Sequence, residues 1–212
     1  MKISIPKYTL AEELISSISH GCGAIFGIVA LVLCVNKTET ATGYVGASLY
    51  GSFMFLMYVI SCVYHALPPH LTGKKVMRVV DHCTVLLMVA GTFMPLCLNL
   101  IKGALGWTVF GIVWSMTIIS IILNCIGLDK FKRVSAICSL IMGWSAIFLI
   151  KPIYYKAGLT ALILLIAGGI VYSLGAILFS LGKKYKYMHS IFHFFVIGGS
   201  VLHFIFIYAY CL

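Results

Sequence analysis

The segment HSIFHFFV, His189 to Val196, opens a run that is otherwise apolar to the C-terminus. Histidines at i and i+4 project from one helical face and can hold one metal ion between them. A third imidazole from another helix would give three nitrogen ligands plus an open position, the pattern of a catalytic zinc site. The spacing alone is also that of two histidines bonded to neighbouring helices. His65 is the natural third ligand, with Ser61 one turn before it on the same face. Asp81 is the one carboxylate inside an apolar run, and an ionised Asp there costs roughly 2.5–3.5 kcal/mol on insertion scales. A divalent cation nearby would compensate it. Zn²⁺ held by His65, His189 and His193, with Asp81 and Ser61 handling a water, is the chemistry these residue types could perform.

The elements that must position them are membrane helices. Of 212 residues, 62% are hydrophobic and 9% charged, where a soluble domain carries roughly 25% charged residues. Seven apolar segments are predicted as transmembrane α-helices: Ile15–Val35, Thr42–Ala66, Val76–Leu98, Ala104–Leu123, Val134–Ile150, Gly158–Leu181 and Met188–Tyr210. No separate soluble part is visible, so residues 1–212 are expected to form one all-α, polytopic membrane domain. The start of the chain does not read as a cleavable signal peptide. The net charge of +10 comes from short loops between apolar runs, which points to lipid headgroups and away from nucleic acid.

Lys2, Lys7, Lys74, Lys75, Arg78, Lys130, Lys132, Arg133, Lys183, Lys184 and Lys186 fall on one side of the seven-span arrangement. Lys37, Lys102, Lys151 and Lys156 fall on the other. The positive-inside rule then predicts a cytoplasmic N-terminus and an external C-terminus in the plasma membrane. Tyr44, Trp107, Tyr154, Tyr155, Tyr208 and Tyr210 mark the outer boundary. With that orientation Ser61, His65, Asp81, His189 and His193, from three helices, reach one depth near the cytoplasmic face. None of these residues is among the loop charges that set the orientation, so the shared depth is independent support for a site.

Other polar residues have plainer expectations. His20 could be a fourth ligand, an outer-sphere or proton-relay group, or a histidine satisfied in the core. His82 is expected to be structural. His203 lies about 15 Å outward of His193 at 1.5 Å per residue, too far for the same ion. The eight cysteines, scattered singly, are expected as small buried hydrophobes. Ser16, Ser17 and Ser19 are expected to bond the preceding turn, Pro95 to kink its helix, and Gly168-Gly169 and Gly198-Gly199 to allow close helix contact.

EELISSISHG (Glu12–Gly21), SCVYHALPP (Ser61–Pro69), RVVDHCTVLLMVAGTFMP (Arg78–Pro95) and HSIFHFFVIGGSVLH (His189–His203) resemble the blocks of the hemolysin III family, the bacterial branch of the progestin and adipoQ receptor family. The resemblance spans nearly the whole chain. It implies seven helices with the N-terminus in the cytoplasm and zinc on His65, His189 and His193, as in the adiponectin receptors. It implies Asp81 beside the zinc-associated water and Ser61 in the same cluster. The wider superfamily, which includes alkaline ceramidases, implies metal-dependent hydrolysis of lipid amides or esters and a role in membrane lipid homeostasis. Family members usually carry Asn at the position of Ser16. Three functions stay open: a lipid hydrolase with membrane lipids as partners, a receptor or membrane-state sensor in which zinc only ties helices together, and a pore-forming hemolysin.

Overall fold

A computed structural model describes residues 3–212. Lys2, counted in the charge asymmetry, lies outside them. All regular structure among the described residues is helical: α1 (Leu10–Lys37), α2 (Ala41–Ala66), α3 (Thr72–Pro95), α4 (Gly103–Trp144), α5 (Ile150–Leu181) and α6 (Met188–Tyr210). A π-helical turn, Leu96–Ile101, follows α3, and a 3₁₀ turn, Ser145–Leu149, joins α4 to α5.

α1 and α2 begin where side chains can satisfy their first N–H groups. Thr9 caps α1 reciprocally with Glu12: the Thr9 hydroxyl accepts from Glu12 N at 3.3 Å, and Thr9 N donates to Glu12 Oε2 at 2.9 Å. Thr40 caps α2 by accepting from Gly43 N at 3.0 Å. At the far end of α3, Pro95 has no N–H to give the carbonyl one turn back. The expected kink is realised as a widening into the π turn immediately after Pro95.

The expectation of seven separate helices is met only in part. Five helical stretches are long and apolar enough to cross a membrane, because the expected fourth, fifth and sixth segments run on within Gly103–Leu181, 79 residues. As one straight rod that stretch would be about 120 Å long, far beyond a hydrocarbon core of about 30 Å. It does not run straight. Gly127 leaves helical geometry at φ −170°, ψ 82°, and Gly158 at φ 82°, ψ −178°. The value at Gly158 is one that a side chain disfavours. Each break is a reversal. Ser135 Oγ donates to Asn124 Oδ1 at 2.6 Å and Thr117 Oγ1 reaches Met142 Sδ at 3.4 Å, both pairs centred just after Gly127. Trp144 Nε1 donates to Ser173 Oγ at 3.0 Å, a pair centred on Gly158. Helical turns continue close to both glycines, through the charged stretches 129–133 and 151–156 that the sequence marks as connections.

Around the bundle, α1 packs along α2, α2 on α3 and α3 on α4; α5 packs on α6, and α6 returns to α1. The α4–α5 contact is sparse by comparison. Glycines set the closest approaches. A Cβ on Gly51 would sit 2.6 Å from Leu31 Cα, and one on Gly27 would sit 2.9 Å from Phe55 Cα, so α1 and α2 touch backbone to backbone. Gly168 makes room for His203 and Gly199 for Tyr172 as expected, with a Cβ at 2.2 Å and 2.9 Å; Gly169 and Gly198 are in ordinary contact only.

Several expectations for single residues change. Ser19 bonds the preceding turn, through Ser16 O at 3.0 Å. Ser16 instead donates across to Ser190 Oγ on α6 at 3.2 Å, and Ser17 to Cys62 O on α2 at 3.0 Å. In a helix bundle these hydroxyls have partners on neighbouring helices as near as their own turn. Cys34, Cys83, Cys97 and Cys211 are buried, but Cys22 and Cys125 are exposed. Lys74 and Arg78, expected among headgroup-facing loop charges, belong to α3 and are buried, Lys74 completely.

Candidate metal centre

Two adjacent carboxylates at the start of α1 organise the site, each from a different side. Glu12 accepts from Tyr187 N at 2.7 Å through Oε1, and its backbone carbonyl accepts from Ser190 Oγ at 3.1 Å. This ties the start of α6, where Tyr187 takes a left-handed conformation, to α1. Glu13 faces the other way. Its Oε2 accepts from His65 Nδ1 at 2.6 Å, and its Oε1 pairs with Lys74 Nζ at 2.5 Å. α1 thereby fixes α6, which carries His189 and His193, and α2, which carries His65.

The three histidines are buried, and one nitrogen from each lies within 4.8 Å of the others. His189 Nε2 is 3.3 Å from His65 Nε2 and 3.3 Å from His193 Nε2. Hydrogen bonding explains this trio poorly: a neutral imidazole nitrogen carries one proton or one lone pair, so a single hydrogen would have to serve both contacts. A metal ion fits better. Zinc bonded to nitrogens at about 2.0–2.1 Å in a tetrahedron separates neighbouring ligand atoms by about 3.3–3.4 Å. Two of the three separations have that value. The donor set agrees: with Nδ1 engaged by Glu13, His65 turns its Nε2 lone pair toward the other two.

The imidazoles border a mostly apolar cavity of about 390 Å³. His189, His193, Ser61 and Asp81 line it, and His65 stands behind them. Asp81 and Ser61 line the cavity together, and the Asp81 carboxylate lies 3.5 Å from His82 Nδ1. His82 is therefore Asp81's neighbour as well as a structural group, its Nδ1–H donating to Arg78 O at 2.9 Å. Ser61, His65, Asp81, His189 and His193, placed at one depth from the sequence, converge on one place. His203 lies apart from the trio, its Nε2 donating to Leu165 O at 3.2 Å.

His20, for which the sequence left three roles open, packs on His193 with ring centres 3.8 Å apart, lines the cavity, and has no hydrogen-bond partner at either nitrogen, so it is not a histidine satisfied in the core. Sequence reasoning missed three groups here. Glu13 and Lys74 are two of them; the i, i+7 offset puts Glu13 on the helical face of His20, a signal available in the sequence. Tyr8 is the third. It stacks on His189 at 4.8 Å and 16°, closing the site from the N-terminal side. The segment before it is pinned to the first reversal: Ser4 N and Oγ donate to Asp129 at 2.7 Å and 2.9 Å, and Arg78 bonds both Ser4 O and Asp129. Partial burial would raise the pKa of Asp129, but Lys132, Ser4 and Arg78 outweigh it and hold the carboxyl below its usual range.

Fold and site together define a helical membrane protein with a buried three-histidine group that could hold a metal ion. The family model "Haemolysin-III related" matches residues 8–204, and the chain belongs to that family. It is similar to Hemolysin-3 of Bacillus cereus, 39% identical over 204 residues covering 95% of this chain and 92% of the relative. It is also similar to the Hemolysin-3 homolog of Bacillus subtilis (strain 168), 34% identical with 96% of each chain covered. The Monocyte to macrophage differentiation factor of Homo sapiens is more distant, 24% identical over 96% of this chain and 86% of its own length.

Proposed function

We propose that this protein is an integral membrane hydrolase that uses zinc on His65, His189 and His193 to cleave an amide or ester bond of a membrane lipid, with a role in membrane lipid homeostasis. The observation that carries it is the pair of 3.3 Å nitrogen separations beside a mostly apolar cavity that holds one carboxylate, Asp81. When bound, Zn²⁺ supplies Lewis acidity toward a carbonyl and makes a water more acidic. Asp81 orients that water and accepts its proton at the carboxylate. Ser61 donates to the oxygen on which negative charge develops, and is not needed as a nucleophile. The apolar lining, including Met57, Leu86, Val89 and Phe93, holds hydrocarbon and excludes bulk water.

The same reading takes the three rods of Gly103–Leu181 as separate crossings, giving seven in all. The N-terminus and metal centre then lie at the cytoplasmic face of the plasma membrane and the C-terminus outside. The contacts across Gly127 and Gly158 support three rods, and the Lys and Arg asymmetry supports the orientation.

A second reading, a membrane-state sensor, draws on the fact that the cluster joins α2 to α6, which a purely structural ion would also do. A pore would need polar lining throughout, and the apolar lining argues against it.

Metal analysis and turnover together decide. Wild type should bind one zinc per chain, and His189→Ala and His193→Ala well below one. Asp81→Asn should keep the zinc and lose lipid hydrolysis on the order of 10²-fold or more. Zinc bound with no turnover on ceramides, phospholipids or acyl amides selects the sensor. Full zinc in both histidine variants refutes the centre.

A further inference from the structure

Lys74 is the most deeply buried cation in the described chain, with no solvent exposure. It sits in the first turn of α3, where a helix gains nothing from a positive charge. An unpaired ammonium there would be strongly destabilising, so its surroundings must compensate it. They do so on two sides: Glu13 Oε1 at 2.5 Å and Leu67 O at 2.7 Å. The Tyr64 ring adds a face 5.2 Å from Nζ.

Glu13 is bridged as a result. One oxygen holds Lys74 and the other holds His65 Nδ1 at 2.6 Å, with the carboxylate side chain 12% exposed. A carboxylate anchored on one side by a buried ammonium cannot swing away from the imidazole on the other. Glu13 stands on α1, His65 on α2 and Lys74 on α3, so one carboxylate joins three helices. Apart from the other two imidazoles of the trio, on the Nε2 side, His65 meets only the rings of Tyr8, at 6.1 Å, and Tyr64, at 4.7 Å, apolar faces and edges that leave its tautomer free.

We propose that Glu13 and Lys74 form a positioning pair for the metal centre. Lys74 fixes the Glu13 carboxylate, and Glu13 fixes the tautomer and rotation of His65, so that Nε2 presents its lone pair to the ion. Carboxylates behind metal-bound histidines raise ligand basicity and set ring orientation, and losing one costs roughly 10–100-fold in metal affinity. Neither residue touches the ion or a substrate, so their effect is on affinity and on the ligand field. The inference rests on the metal-centre reading above.

The test uses the full-length protein purified in detergent, with zinc affinity measured by chelator competition and the visible absorption of the cobalt-substituted protein as a second readout. Glu13→Gln keeps the shape of the side chain and removes its charge. It should weaken zinc roughly 10–100-fold and shift the cobalt spectrum. Lys74→Met should do the same, and Lys74→Arg should restore most of the affinity.

Each single variant strands a buried charge and would lower the unfolding temperature for that reason alone. The double variant Glu13→Gln/Lys74→Met removes both charges. If the pair positions His65, the double variant regains thermal stability yet keeps the weak affinity and altered spectrum. If the pair is only structural, affinity and spectrum return with stability, and the proposal is overturned. It is also overturned if Glu13→Gln binds zinc like wild type while His65→Ala does not. A wild type that binds no metal overturns the metal-centre reading itself, which separates the two failures.

Discussion

Substituting Gly51 by Ala probes the backbone contact between α1 and α2. The new Cβ would lie 2.6 Å from Leu31 Cα and 2.7 Å from Leu31 Cβ, where ordinary contact begins at 3.4 Å. The helices must therefore part locally by about 0.8 Å, and Leu31 Cα, being backbone, cannot rotate aside. Gly27 meets Phe55 Cα at 2.9 Å in the opposite sense, which blocks a sliding escape. Overpacking of this kind costs about 1–3 kcal/mol. Against it stands the gain of about 0.5–1 kcal/mol that Ala has over Gly inside a helix. Gly111→Ala isolates that gain, because a Cβ there meets nothing within 4 Å. Unfolding of both purified variants in bicelles by SDS titration should place Gly51→Ala about 1–3 kcal/mol below Gly111→Ala. A Gly51→Ala protein as stable as Gly111→Ala would refute the claim that glycine is there for backbone contact.

Two further outcomes are expected. Ser200 accepts from Tyr58 Oη at 2.7 Å and pairs with Tyr172 Oη at 2.8 Å. Ser200→Ala takes the short partner from the buried Tyr58 hydroxyl, leaving it Val196 O at 3.5 Å, and from the half-buried Tyr172 hydroxyl; it should cost about 1–3 kcal/mol for each that finds no new partner, more than Tyr172→Phe, in the same unfolding assay. Asp129 is held below its usual range. Its contribution to stability is therefore present above the unfolded value, near pH 4, and is lost as pH falls through the lower native value. Proteolysis of the N-terminal segment should accelerate in wild type as pH drops below about 4, while Asp129→Asn should be cleaved readily at all pH values and show no such step; parallel profiles would disprove the pinning.

The site was legible from the sequence because its residues announce themselves. Imidazoles and a carboxylate in apolar runs are conspicuous, and the helical repeat places Ser61 with His65 and His189 with His193. Depth then needed only the loop charges. Glu13 and Lys74 were not legible for the opposite reason. Charged residues at helix ends are ordinary, and counting Lys74 toward the loop charge hid that it pairs 61 residues back in the chain. The fourth to sixth segments are marked off in the sequence by the charged stretches 129–133 and 151–156, but helical turns run through both and leave helical geometry only at Gly127 and Gly158, so the helix boundaries do not follow the polar residues. Ser16 and Ser17 were misassigned because a local bond is the default for a helical hydroxyl, and only tertiary packing offers Ser190 and Cys62 as alternatives.

The Glu13–Lys74 pair also bears on how the chain is inserted as it is made. α1 and α3 carry opposite charges that become costly only once both helices are in place and water has left. In the proposed orientation both charges belong to the side on which synthesis occurs, so neither has to be carried through the bilayer. Each helix can enter the membrane with its charge waiting among the headgroups, and the pair can close as α3 docks against α1. Biogenesis would then leave the first two helices with a half-formed anchor, an exposed Glu13, until the third emerges. A chain interrupted after α2 should hold this carboxylate accessible to water, and its completion should seal it.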